Sequence, residues 1–203
     1  MSDRRSHWED VYTSKGESEV SWFEDSPETS LDLLRRAGLQ PADAVIDIGG
    51  GASRLVDVLV EREQAHVSVL DLSQAALDVA RARLGESAQV EWIVSDVTAF
   101  EPERMYDFWH DRAAFHFLTA EQDQAAYARV MAAALKPSGK AIIGTFAPDG
   151  PEKCSGLPVA RHDMASLQQI FGPGFKGIAS RRVDHTTPWG SVQRFQFSTF
   201  AKL

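Results

Sequence analysis

A doubly wound α/β fold is predicted by three observations. Strand-like and helix-like runs alternate along the chain, glycines cluster at the first strand-to-helix join, and an acid ends each of three strands. Alternation of this kind requires crossover connections, which give a mainly parallel sheet with helices on both faces. The apolar runs are 44–48, 67–70, 90–94, 106–109 and 141–146, followed by two alternating runs near 178–183 and 194–200. No helical pattern separates the last two, and their connection holds Pro188 and Gly190. They should close the sheet as an antiparallel hairpin.

Each helix carries its own punctuation. Ser26-Pro27 precedes Leu31, Leu34 and Ala37, and Gly38 is the stop. Ser53 precedes Leu55, Val58 and Leu59; Ser73 precedes Leu77, Ala80 and Leu84, which end at Gly85. Thr119 and Gln122 have capping-box spacing ahead of Ala126, Val130, Met131 and Ala134, with Pro137 just past the end. Residues 147–161 hold three prolines and two glycines and predict a lid loop. Residues 1–25 carry Trp8, Tyr12, Trp22 and Phe23 and predict a folded, helical N-terminal cap. The whole, 1–203, reads as a single domain.

Composition narrows the function. With 29 acidic and 21 basic residues the net charge is −8, and no basic run is present, so nucleic acid is not an expected partner. The apolar run 141–147 is far below the ~18 residues of a membrane span, so no membrane partner is expected either. The opening MSDRRSHWED is too polar for a secretory signal, and Cys154, the only cysteine, forms no internal disulfide; both point to the cytoplasm. Six histidines and Cys154 show neither H-x-x-x-H nor C-x-x-C spacing, so no metal site is predicted. Lys153 beside Cys154 would favour a thiolate.

The chemistry concentrates at Val45-Ile46-Asp47-Ile48-Gly49-Gly50-Gly51-Ala52-Ser53-Arg54. Glycines here let a ligand approach the backbone. A dinucleotide turn would place a third glycine where Arg54 stands, and Asp47 would repel a pyrophosphate. A cationic ligand reverses that judgement, because Asp47 then faces an ammonium or sulfonium. Asp71-Leu72 end the second strand, where an acid can accept both hydroxyls of a ribose, and Asp96-Val97 follow the third, placed for an adenine amino group.

On these residues the chain resembles the class I S-adenosylmethionine-dependent methyltransferases, over about residues 44–146. The resemblance implies the Rossmann-like methyltransferase fold: a seven-stranded sheet with the last strand antiparallel. It also implies S-adenosylmethionine as cofactor, with S-adenosylhomocysteine as product. Gly49, Gly50, Gly51 and Asp47 would then meet the methionine portion, Asp71 and Leu72 the ribose, and Asp96 and Val97 the adenine. Leu135-Lys136-Pro137-Ser138-Gly139 looks like the family's L-K-P-G-G turn, with Ser138 departing from it. His7-Trp8-Glu9-Asp10-Val11-Tyr12 with Val20-Ser21-Trp22-Phe23 is similar to the N-terminal segment of thiopurine-methyltransferase-like and some lysine methyltransferases. Trp22 is expected on the cofactor, by the attraction of an aromatic face for a sulfonium, and Tyr12 in a packing pair with Trp8.

Trp109-His110-Asp111-Arg112-Ala113 is similar to the W-D-R-G-A stretch of the thiopurine-methyltransferase-like enzymes, with His110 inserted. That resemblance makes His110 and Asp111 candidate bases, His110 also a cofactor contact, and Arg112 a residue of the cofactor–acceptor junction. The D/N-P-P-Y/F motif of DNA amino-methyltransferases is missing. The expected activity is in-line methyl transfer to a small-molecule acceptor, a thiol or other soft nucleophile, with a protein lysine as the alternative. Asp47 and Arg54 disfavour a nicotinamide oxidoreductase; a non-catalytic S-adenosylmethionine-binding protein is the rival from another class. Sequence does not set the oligomeric state.

Overall fold

The computed structural model describes residues 2–85 and 89–203, so Met1 of the predicted cap lies outside the described residues. Five parallel strands form the heart of the sheet: β1 (Ala44–Ile48), β2 (His66–Asp71), β3 (Val90–Val94), β4 (Tyr106–Arg112) and β5 (Leu135–Phe146). A two-residue ladder, β6 (Lys153–Cys154) with β7 (Leu157–Pro158), lies apart from it. The long hairpin β8 (Phe175–Thr186) and β9 (Val192–Lys202) completes a seven-stranded sheet of order β3-β2-β1-β4-β5-β9-β8, in which β9 runs antiparallel to both neighbours. The expected architecture is present. The strand order reverses between β1 and β4, where open sheets of this type bind ligands beyond the carboxyl ends of their strands.

Helices cover both faces. On one, α2 (Glu28–Arg36), α3 (Leu55–Glu61) and α4 (Gln74–Leu84) bury Leu31, Leu34, Leu55, Leu59 and Leu77 against Val45, Val67, Val69 and Phe108. On the other, α5 (Glu121–Ala134) and α6 (Met164–Phe171) bury Tyr127, Met131 and Leu167 against Ile46, Ile48, Trp109 and Ile143. Odd and even positions of each strand thus serve different cores, as the strand repeat of two requires. An N-terminal helix, α1 (Ser2–Ser14), packs beside α4 at the mouth of the sheet.

Local detail departs from the sequence reading in several places. Strand β4 runs three residues beyond Trp109, because Asp111 pairs with Ile143 and Arg112 with Gly144 of β5; His110, Asp111 and Arg112 lie on the strand and not in a loop after it. The capping box of Thr119 and Gln122 does not form. Helix α5 is capped by Ala120, whose carbonyl accepts from the Asp123 and Gln124 amides. Ser53 sits one residue before the cap of α3 and its hydroxyl accepts from Leu55 N–H at 3.1 Å, whereas Ser73 caps α4 as predicted, accepting from Ala76. The L-K-P-S-G turn is drawn into β5, with Ser138 at φ 64°. Residues 147–161 are not irregular throughout: the β6–β7 ladder turns at Ser155-Gly156, and Ala160 N–H donates to the His116 carbonyl.

Asp111 is corrected by its surroundings. It is fully buried on the α5 face, where its carboxylate accepts from the Ala114 and Phe115 amides and, at 2.7 Å, from the Tyr127 hydroxyl. The same hydroxyl accepts the Trp109 indole N–H at 2.7 Å. Burial pushes the Asp111 carboxyl up to about 6, against the pull of these donors. With its oxygens so engaged, it ties a strand to a helix and lines neither lobe of the cleft described below, unlike the acceptor-side position expected of it. Tyr127→Phe removes a donor from a buried carboxylate and an acceptor from a buried indole. It should cost at least ~2 kcal/mol in urea unfolding, since each abandoned partner is worth ~1–3 kcal/mol. A loss under ~0.5 kcal/mol would mean that the network contributes nothing.

Candidate functional site

Beyond the carboxyl ends of β1 to β4 lies a cleft of two lobes, which share Tyr12, Trp22, Gly49 and Arg112. The larger lobe is lined by Asp71, Leu72, Asp96 and Val97 below and by Trp8, Phe117 and Cys154 above. The smaller is lined by Ser30, Asp47, Gly50 and His110. The structure therefore brings the predicted residues of three strand ends to one place.

The glycine turn is wedged between two carboxylates. A Cβ on Gly50 would come 2.6 Å from Asp47 Oδ2, and one on Gly51, at φ 31°, would come 2.7 Å from Asp71 Oδ2. Asp47 is only 3% exposed. Its Oδ1 accepts from His110 Nδ1–H at 2.7 Å, while its Oδ2 has no partner among the described residues. His110 Nε2 lies 2.9 Å from the Ser30 hydroxyl, so both ring nitrogens are engaged. That arrangement fixes the ring between β1 and α2 at the wall of the smaller lobe.

Asp71 is also buried, and its Oδ1 accepts from Ser73 N–H at 2.9 Å. Burial raises its carboxyl to about 7; the Asp47 and Glu9 charges push the same way, and the Ser73 and Leu72 amides push back. Asp96 accepts from Thr98 N–H and forms an ion pair with Arg4 of α1 at 3.2 Å. Arg112 does not pair with Asp111. Its Nη1 donates to the Trp22 carbonyl at 2.9 Å, its Nη2 meets Glu24 at 2.9 Å in a poorly aligned ion pair, and its guanidinium lies 5.3 Å from the Phe195 ring centre.

Several contributors escaped the sequence reading. Glu9 of α1 accepts from the Gln74 and Ala75 amides and from the Ser73 hydroxyl, capping α4 from another helix. Tyr12 packs 6.4 Å from Trp8, as expected, but also lines both lobes and accepts the Trp22 indole N–H at 3.2 Å. Trp8 stands edge-on to Phe117, 5.0 Å between centres. Cys154 is buried, and burial pushes its thiol up to about 11, so Lys153 does not make it a thiolate at neutral pH.

Residues 45–139 match the family described as a methyltransferase domain. Over 103 residues, half of the chain, it is 27% identical to a malonyl-(acyl-carrier protein) O-methyltransferase 1 of Ilyobacter polytropus. The chain spans 24 to 45% of the length of three curated methyltransferases that it matches. In fold it is similar to a methyltransferase from Anabaena variabilis, with a TM-score of 0.80 and 13% identity, covering 98% of this chain and 95% of that one. It is also similar to the Burkholderia thailandensis 1,6-didemethyltoxoflavin-N1-methyltransferase, whose structure holds its substrate and S-adenosylhomocysteine. There the TM-score is 0.75 and the identity 21%, over 99% of this chain and 88% of that one. At these identities the two structural likenesses are of fold. Among the described residues no helix is long and apolar enough to cross a membrane.

The raised carboxyl of Asp71 has a consequence for stability. In the folded chain the group keeps its proton to about pH 7, but once unfolded only to about 4. The folded state therefore binds more protons in that window, and this group's contribution is lost as pH rises through it. Asp71→Asn should be more stable than the parent at pH 8, and its advantage should shrink by pH 4.5, as read from urea midpoints. An equal difference at both pH values would contradict the assignment.

Proposed function

We propose that this chain, which carries a class I S-adenosylmethionine-dependent methyltransferase domain, transfers the methyl group of S-adenosylmethionine to a small-molecule acceptor. The observation that carries the reading is the orphaned, buried Oδ2 of Asp47 beneath a turn that only glycine fits. A buried carboxylate oxygen with no partner is costly unless a cation or donor completes it. A cofactor with an ammonium and a sulfonium meets that need; a pyrophosphate does not. When bound, the cofactor supplies a methyl group made electrophilic by the sulfonium.

The chain's residues then hold and orient. Asp71 accepts the ribose hydroxyls with Leu72 beside it, and Asp96 and Val97 take the adenine edge. Gly49, Gly50 and Gly51 admit the methionine portion, with Asp47 on its cationic side. Arg112 fixes residues 22–24 over the cleft and turns a charged fork toward a carboxylate. Trp8, Tyr12, Trp22 and Phe117 enclose the larger lobe with aromatic faces, which suit a sulfonium by ~0.5–2 kcal/mol. The β6–β7 segment closes it from the side of Cys154. Alignment of this kind can supply ~7–11 kcal/mol of the barrier reduction in a direct displacement.

The acceptor follows from the state of the three candidate groups. His110 is held on both nitrogens, Asp111 faces the opposite core, and the Cys154 thiol stays protonated. No free base is left among these candidates for an acceptor that must first lose a proton. A thiol, which ionises near neutral pH unaided, or another soft nucleophile with an available lone pair suits such a site best. Incubation with methyl-labelled S-adenosylmethionine and a metabolite and protein mixture, read by mass spectrometry, tests this. Label should appear in a small thiol or similar soft nucleophile. Label in protein lysine would replace the acceptor, and no label with retained cofactor binding would make the chain a sensor.

A further inference from the structure

Ser30, His110 and Asp47 form a buried chain of hydrogen bonds drawn from three separate elements, and they are 1%, 2% and 3% exposed. The β1–β4 register sets Asp47 directly opposite His110 on one face of the sheet, and α2 brings Ser30 to the far side of the ring. Nδ1 donates to Asp47 Oδ1, since a carboxylate oxygen accepts, and Nε2 shares its hydrogen bond with the Ser30 hydroxyl, which can act as donor or acceptor. The order is unlike that of a hydrolytic triad. All three residues line the smaller lobe, and the chain ends on a buried carboxylate oxygen, Asp47 Oδ2, that has no partner among the described residues.

We propose that Ser30 and His110 are positioning residues for the cofactor: they fix one oxygen of Asp47 so that the other is held beneath the glycine turn, against Gly50, to receive the methionine ammonium. The proposal rests on the methyltransferase reading above and assigns to two residues a task that the glycine turn alone does not perform. Without the ring, Asp47 would rotate about its terminal torsion, which is broad for a carboxylate, and would lose the aim of Oδ2. Gly50 supplies the complementary half, since any side chain there would occupy the place that the held oxygen needs.

The effect is confined to ligands that carry the amino-acid portion, and that confinement supplies the test. Binding of S-adenosylhomocysteine and of 5′-methylthioadenosine, which lacks the ammonium, is measured by calorimetry on the parent, His110→Leu, His110→Asn and Ser30→Ala. His110→Leu should weaken S-adenosylhomocysteine at least tenfold and leave 5′-methylthioadenosine within threefold. His110→Asn restores a donor near the Nδ1 position and should recover most of the loss, and Ser30→Ala should weaken S-adenosylhomocysteine alone. Equal losses for both ligands, or no loss for either, would overturn the assignment. If His110→Leu does not fold, Ser30→Ala against the parent decides it on the same two ligands. A parent that binds neither ligand would instead bring down the cofactor reading, and the inference with it.

Discussion

A carboxylate buried at the carboxyl end of β1 is the constraint on which the rest of the site depends. Removing Asp47 from water costs several kcal/mol unless partners replace the lost solvation, and the surrounding chain is arranged to supply them. The parallel register of β1 and β4 delivers His110 to Oδ1. A slip of one residue would set an isoleucine in that place and turn the acid into the opposite core. Glycine at position 50 leaves room for Oδ2, and the same turn carries Gly51 past Asp71. Two acids that would repel each other in an empty cleft become complementary to a ligand that brings positive charge and hydroxyl donors.

The cover over this cleft is built differently from its floor. The sheet and its helices are held by fully buried apolar side chains. Among the described side chains of helix α1 only Val11 is fully buried; Trp8 and Tyr12 pack by their rings, and the rest is fastened by polar reach: Glu9 on the start of α4, Arg4 on Asp96 and His7 near Ser155. Residues 17–24 are fastened in the same way, through Glu17 with Arg54 and Arg83, and through Glu24 with Arg112. Segments tied by half-buried ion pairs and ring edges, with few fully buried apolar side chains, open at lower cost than a packed core. The cleft therefore has its apolar packing beneath and its polar contacts above.

The fold and the meeting of three acids at one cleft were legible because they follow local rules. Alternating runs mark strands, three acids sit at strand ends, and the absence of a helix between 183 and 194 announces the closing hairpin. What escaped the sequence was decided over long range. The polar run His110-Asp111-Arg112 looks like a loop, yet each side chain finds its partner on another element: Asp47 and Ser30, Tyr127, Trp22 and Glu24. Thr119 and Gln122 have the spacing of a capping box, but helix α5 starts one residue later and Ala120 takes the cap. Glu9 caps a helix 65 positions away, which no local pattern announces.

Calorimetric titration of the parent protein with S-adenosylhomocysteine and, in parallel, with NADH tests the central claim most directly. An acid with a free oxygen beneath a three-glycine turn should select the ligand with a cationic tail over the one with a pyrophosphate. The account predicts saturable binding of S-adenosylhomocysteine and no heat from NADH. Binding of NADH without binding of S-adenosylhomocysteine would contradict it.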